Sequence, residues 1–290
     1  MYKCYLCDYE GNMKIKSNVA GRDIVACPNC KLEFIYNQPT FDEIKEIYSS
    51  EYYKAWGMEN GENNEVALMK KSTFRNMLKK ILPYKKNGNI LDIGTASGFL
   101  LEEAKLLGFE PYGVELSEYS SSIAKQKFGE DRIHNGTLET SNFPENFFDL
   151  ITMTDLLEHI QNPLDLLKIC HKILKEPVRG GGGYIMITVP ETTSFTHNIM
   201  KSKWTQYKLE HLFYFNKKNM EMIAKRTGFE IIYMKPAVKT MTLKYITNQF
   251  NVYKLFPITQ IFNIVNHIPI INTLRFNITL GESLIILKKV

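Results

Sequence analysis

From residue 66 onward two hydrophobic rhythms alternate along the chain. Short apolar runs at Asn89 to Ile93, Tyr112 to Leu116, Phe148 to Met153, Tyr184 to Val189, Ile231 to Met234 and Glu282 to Lys288 read as strands. Between them lie segments whose apolar residues recur three and four positions apart. These are Val66 to Leu82, stopped by Pro83, then Phe99 to Leu107, Ser117 to Lys127, Asn162 to Lys175 and Lys217 to Thr227, all read as amphipathic helices. With the short run Arg132 to His134 added, seven strands alternate with helices. That order predicts an α/β fold with helices on both faces of the sheet.

The first strand ends in Asp92-Ile-Gly94-Thr-Ala96-Ser-Gly98 and opens into a helix, and the second ends in Glu115. A strand, a tight glycine turn and a helix make a site for a nucleotide-type ligand, and an acid at the next strand end suits the two hydroxyls of a ribose. Leu101 stands where a dinucleotide fingerprint would carry its third glycine, so a pyrophosphate is not the expected guest.

On these residues the chain resembles the class I S-adenosylmethionine-dependent methyltransferases, whose sheet is Rossmann-like and seven-stranded. Their first motif is an acid, then Gly-x-Gly-x-Gly, then an acid at the end of the following strand. The resemblance assigns the cofactor to Asp92, Gly94, Ala96, Gly98, Glu115 and Leu116, with Ala96 departing from the common glycine. It adds Thr137, which stands where an adenine-binding acid is usual, together with Leu138 and Thr154.

Phe143 to His159 (FPENFFDLITMTDLLEH) matches the phrase that in this family marks the fourth strand and the loop beneath the reactive methyl group. Asp155, Glu158 and His159 follow that strand with helical spacing, and some methyltransferases bind a divalent ion through a related Glu-x-x-Glu-His. Further on, Tyr207-x-x-Glu210-His211 and the aromatic residues after it resemble sugar methyltransferases, among them zinc-containing enzymes that C-methylate nucleotide-linked deoxysugars. The resemblance implies His211 as general base, Glu210 orienting it and His159 assisting from the opposite wall. Tyr207 is one residue out of the family's Tyr-x-Glu-His register.

Ahead of all this stand Cys4-Tyr-Leu-Cys7 and Cys27-Pro-Asn-Cys30, nineteen residues apart. Two such knuckles supply the four sulfurs of a closed, structural Zn²⁺ site, and a reducing cytosol argues against reading them as disulfides. The expected organisation is a zinc ribbon over 1–36, a helical connector and lid over 37–83, and the main domain over 84–290 with an insert at about 236–281. The connector ends in an aromatic cluster of Tyr48, Tyr52, Tyr53 and Trp56, in which Tyr52 and Tyr53 are candidates for a lid or for gluing the ribbon to the main domain.

Formal charge is +5, and four thiolates around one Zn²⁺ lower it to +3, too little to argue for nucleic acid. The ribbon still leaves an RNA methyltransferase as a rival, and the departures at Ala96 and Thr137 leave an inactive scaffold as another. No leader peptide is visible, so the expected compartment is cytoplasmic. Val252 to Leu274 is apolar but broken by Pro257 and Pro269, which suits a cover, a dimer surface or peripheral membrane contact better than a membrane span. The expected protein is a monomer or homodimer acting on a small, sugar-linked acceptor.

Overall fold

The computed structural model describes residues 1–40, 42–44, 65–177, 182–252 and 274–290. Tyr48, Tyr52, Tyr53, Trp56 and nearly all of the Val252 to Leu274 stretch lie outside the described residues.

Five short strands come first: β1 (Tyr2–Lys3), β2 (Glu10–Gly11), β3 (Lys14–Val19), β4 (Arg22–Ala26) and β5 (Glu33–Ile35). Helix α1 (Glu65–Leu78) leads to β6 (Gly88–Ile93), α2 (Phe99–Leu106), β7 (Phe109–Glu115), α3 (Glu118–Phe128) and β8 (Ile133–Asn135). The second half runs β9 (Leu150–Thr154), α4 (Pro163–Ile173), β10 (Tyr184–Pro190), α5 (Phe195–Met200), β11 (Phe213–Tyr214), α6 (Lys217–Arg226) and β12 (Phe229–Pro236). It closes with β13 (Lys239–Thr242), α7 (Leu243–Val252), β14 (Arg275–Ile278) and β15 (Glu282–Lys289).

The expected seven-stranded sheet forms, in the order β12-β15-β10-β9-β6-β7-β8. β6, β7, β8, β9 and β10 pair in parallel, while β15 runs antiparallel to both β10 and β12. Every residue of β10 is buried, as a central strand covered on both faces requires. From β6 the chain builds outward through β7 and β8, then crosses back to lay β9 on the other side of β6. That reversal opens a crevice beyond the carboxyl ends of β6 and β9, where an α/β sheet takes its ligand.

Two features were not expected. β11 does not join the large sheet; it completes a second one, β11-β5-β4-β3, with the N-terminal strands. The described ends of the insert form an antiparallel pair, β13 with β14, which the main chain of Thr240 fastens to α1 by donating to Thr73 Oγ1 at 2.8 Å. Helical spacing after β9 also gives way. Asp155 takes a left-handed φ of 52°, and Leu157 to His159 form a single 3-10 turn. The cause is tertiary: Asp155 N donates to Thr188 Oγ1 at 2.9 Å, and the Glu158 carbonyl accepts from Leu212 N at 2.8 Å. No helix among the described residues is long and apolar enough to cross a membrane.

Candidate active site

One end of the crevice is main chain. Gly94, Ala96 and Gly98 all have positive φ, at 76°, 49° and 85°, which curls the β6 to α2 turn over the strand tips. At Gly98 a side chain is doubly excluded, since a Cβ would lie 2.5 Å from Phe128. Ala96 holds the same hand at a cost of roughly 1–2 kcal/mol, offset by a bond from its N–H to Glu115 Oε2 at 2.8 Å. Ser117 N donates to the other oxygen, Glu115 Oε1, at 2.8 Å, so Glu115 braces the turn it faces.

Asp92 is buried beneath the turn and accepts from Thr152 Oγ1 at 2.6 Å. Burial pushes its carboxyl up to about 7, against the pull of that hydroxyl. Leu116 projects at the tip of β7, 37% exposed, while Leu138 is buried. Thr137 heads the turn Leu138 to Thr140, its N–H donating to Thr140 Oγ1 at 3.2 Å and its carbonyl accepting from that hydroxyl at 2.9 Å. Asn135, which carried no sequence signal, ties β8 to the tip of β7 by donating to the Glu115 and Leu116 carbonyls at 2.9 and 3.3 Å.

The other end is a cluster of side chains around the end of β9, beyond half-buried Thr154. His159 and His211 meet edge to face with ring centroids 4.7 Å apart. The two histidines therefore share one wall, and the expectation that His159 assists from across the site is corrected. The left-handed turn at Asp155 swings His159 back toward His211. Glu210 enters through its main chain: its carbonyl lies 2.8 Å from His159 Nδ1. The residue it orients is thus His159, in place of the expected carboxylate contact to His211. A carbonyl only accepts, so Nδ1 carries the proton and Nε2 the lone pair.

Glu158, His159 and His211 bring ligand atoms within 4.8 Å of one another, a donor set that also suits a divalent ion. Asp155, expected in that set, is turned to Lys239 Nζ at 2.9 Å and accepts from Thr188 Oγ1 at 2.7 Å. Among the described residues no side-chain or main-chain group is hydrogen-bonded to the buried atoms Glu158 Oε2 and His211 Nδ1, which leaves both able to meet a ligand.

Burial drives His159 down to about 4 and His211 well below the ordinary histidine value, and it holds Glu158 well above the ordinary carboxylate value. Around neutral pH the cluster therefore carries two neutral imidazoles, beside a carboxyl whose ionisation burial opposes. Asp155 differs: burial would raise it too, but the Lys239 ammonium overrides this and holds it below the usual range. Its side chain is 45% exposed, so it borders solvent.

Lys239 comes from the insert and was missed by sequence reading. It bridges Asp155 to Glu282 Oε2 at 2.6 Å, and Gln206 Nε2 donates to Glu282 Oε1 at 3.0 Å. Glu282 also lines a groove of about 610 Å³, together with Glu191, Phe195, Lys217 and Tyr233. Tyr207 points away from the cluster and donates to Glu33 Oε2 of β5 at 2.5 Å.

At the N-terminus the four cysteines are free thiols with sulfurs mutually within 4.8 Å, Cys4 to Cys30 at 3.6 Å and Cys7 to Cys27 at 3.5 Å. Four sulfurs at about 2.3 Å from one ion stand about 3.8 Å apart. The cluster fits such an ion.

A seven-stranded sheet with one reversed strand, a left-handed glycine turn and an acid at the next strand end define a class I methyltransferase fold. Residues 50–234 match the family described as methyltransferase domain, well over half of the chain, and the protein belongs to that family. Among curated proteins it is similar to the mitochondrial ubiquinone biosynthesis O-methyltransferase of Schizosaccharomyces pombe, 33% identical over 110 residues, which is 36% of this chain and 38% of that one. The corresponding protein of Aromatoleum aromaticum is 29% identical over 105 residues, 34% of this chain and 43% of that one. The chain thus spans about two fifths of the length of these relatives.

Solved structures share the fold alone. An S-adenosylmethionine-dependent methyltransferase from Thermotoga maritima superposes with TM-score 0.52 at 19% identity, covering 85% of this chain and 98% of that one. The [4+2]-cyclase SpnF gives 0.56 at 14% identity, covering 87% and 97%.

Proposed function

We propose that the protein transfers the methyl group of S-adenosylmethionine to a hydroxyl of a small molecule. The cofactor supplies an activated sulfonium methyl. The chain binds it over the Gly94 to Gly98 turn, with Asp92, Glu115, Leu116, Thr137, Leu138 and Thr154 around it, and aligns the acceptor on the β9 side. The observation that carries this reading is the His159 and His211 pair at the switch point, with His211 Nδ1 and Glu158 Oε2 buried beside it and unpartnered among the described residues.

A neutral imidazole accepts the hydroxyl proton as the O–C bond forms, and we assign that step to His211. His159, fixed by the Glu210 carbonyl, supports the ring from its edge, and Glu158 lines the acceptor side beside it. The names of the curated relatives support oxygen as the methyl acceptor. Glu210-His211 suggests a sugar-linked acceptor and the names of these relatives an acceptor of ubiquinone biosynthesis, so both classes belong in the acceptor panel. Cys4, Cys7, Cys27 and Cys30 are proposed to hold a structural Zn²⁺, with no open position for chemistry.

Replacing His211 with Ala tests the assignment. Calorimetry is expected to give cofactor affinity within about twofold of wild type, while formation of S-adenosylhomocysteine with a productive acceptor falls about 100-fold or more. Unchanged turnover removes His211 as the base. If the wild-type protein does not bind S-adenosylmethionine, the whole reading fails.

A further inference from the structure

The N-terminal strands reach the candidate site along the loop Tyr207 to Leu212. Strand β5 grips that loop at both ends. At one end Tyr207 donates its hydroxyl to Glu33 Oε2 at 2.5 Å, and His197 Nε2 stands 3.1 Å from the same hydroxyl and 3.3 Å from the same carboxylate oxygen. At the other end Ile35 N donates to the Leu212 carbonyl at 3.0 Å, and Phe34 and Glu33 then pair with Phe213 and Tyr214. Between the two grips lie the Glu210 carbonyl that holds His159, and His211 itself. Leu212 also donates its N–H to the Glu158 carbonyl, so displacing the loop moves all three members of the cluster.

Glu33 is itself built in. It is buried, and Lys16 Nζ lies 2.9 Å from its second oxygen. Tyr207 packs edge-on against Tyr214 at 4.9 Å and Trp204 at 5.3 Å, so its ring has no room to swing while the hydroxyl bond holds. The strand that carries Glu33 is fixed in turn by α6. The main-chain carbonyls of Asn29, Cys30 and Lys31 accept from Lys218 Nζ, Asn219 Nδ2 and Asn216 Nδ2 at 3.2, 2.7 and 3.0 Å, and Arg226 donates to the Leu6 carbonyl of the first knuckle. Those knuckle carbonyls face the protein's own helix rather than a nucleic acid.

We infer that Glu33 is a positioning residue for methyl transfer: through Tyr207 it holds the Tyr207 to Leu212 loop, and with it His211, against Glu158 and His159. The cysteine-bearing segment is then the rear support of the acceptor wall rather than a recruiting module. This rests on the methyl-transfer reading above, and one readout in its test does not depend on activity.

The experiment compares Glu33→Ala, Glu33→Gln, Tyr207→Phe and the Glu33→Ala/Tyr207→Phe pair. It measures amide hydrogen exchange over 207–212, cofactor affinity, kcat and KM. Glu33→Ala and Tyr207→Phe are each expected to speed exchange in the loop and lower kcat about tenfold with cofactor affinity unchanged. Glu33→Gln keeps an oxygen for the tyrosine hydroxyl and is expected to stay within about threefold of wild type. The double variant should lose no more than Glu33→Ala alone, because that change already removes the Tyr207 bond along with those to Lys16 and His197.

Wild-type exchange and kcat in Tyr207→Phe overturn the inference. So do losses that multiply in the double variant, or a Gln variant as impaired as Ala. If Glu33→Ala does not fold, Tyr207→Phe and Glu33→Gln, which conserve shape, still decide. Loop exchange that responds in a protein that methylates nothing would leave the clamp standing and sink the methyl-transfer reading instead.

Discussion

The β6 and β7 end of the crevice and the β9 end share one sheet edge but are assembled by different means. At β6 and β7 the working groups are main-chain N–H groups in a left-handed turn, held by one carboxylate nineteen residues from the N–H it accepts. At β9 they are side chains from five separated segments: residues 155 to 159, Thr188, residues 206 to 211, Lys239 and Glu282. The first arrangement suits a ligand with an invariant skeleton, since backbone geometry varies little with sequence. The second can be rebuilt residue by residue for a new acceptor while the turn stays as it is. SpnF, a cyclase, has the same fold, which agrees with function residing in the grafted side chains.

The largest effect should come from the contiguous end. In Glu115→Ala, two N–H groups, of Ala96 and Ser117, lose their shared carboxylate, and Ala96 keeps its left-handed strain. Hydrogen bonds to a charged group contribute roughly 1.5–3 kcal/mol each, so a loss of about 3 kcal/mol, on the order of 100-fold in S-adenosylmethionine affinity, is expected. Calorimetry reads it directly. Affinity within threefold of wild type would mean that the turn does not depend on its brace and that the contrast between the two ends is overdrawn.

The same contrast governs what could be read from the sequence. Asp92 to Glu115 is a continuous strand, turn, helix and strand, and each step has a local cause: apolar run, left-handed glycines, acid at the strand end. The seven-stranded sheet follows from that rhythm repeated. Lys239 and Glu282 had no such signature, because a lone lysine and a lone glutamate 43 residues apart look like surface charges until β13 and β15 bring them together. The meeting of His159 with His211 follows a left-handed turn at Asp155 that helical spacing over 155–159 does not signal. Tyr207, one residue out of register with the sugar-methyltransferase pattern, faces β5, and only the second sheet explains why.

A smaller effect is expected from Lys239→Met. Asp155 and Glu282 would face each other without their shared cation, and both would be drawn toward the protonated form. Breaking a buried pair costs several kcal/mol; with Asp155 open to solvent the loss should be closer to about 1–2 kcal/mol of stability. Turnover efficiency with a productive acceptor is expected to fall about tenfold while cofactor affinity stays within about twofold. Equal losses in cofactor affinity would show that the insert braces the whole crevice, and the division between its two ends would not hold.

The smallest effect is one of pH, and it separates the neutral histidine pair from an ordinary histidine base. His159 is held down to about 4 and His211 well below its ordinary value, in both cases mainly by burial. Both rings therefore stay neutral through the range where a histidine of unperturbed pKa near 6.5 would protonate. The acid limb of turnover efficiency should stay nearly flat through the range where an ordinary histidine titrates, near pH 6.5, and fall only below it. Stability should behave differently. The unfolded chain takes up a proton near pH 6.5 that the folded chain refuses until about pH 4 at His159. The unfolded state thus binds more protons in that window, and stability, fully present above about 6.5, is lost as the pH is lowered through it. Denaturant titrations at pH 7 and pH 5 are expected to show this loss in the wild type and a smaller one in His159→Gln, whose side chain does not titrate. An acid limb centred near pH 6.5 in the wild type would mean that the base is solvated in the working complex and that the acceptor wall is more open than its buried side chains indicate.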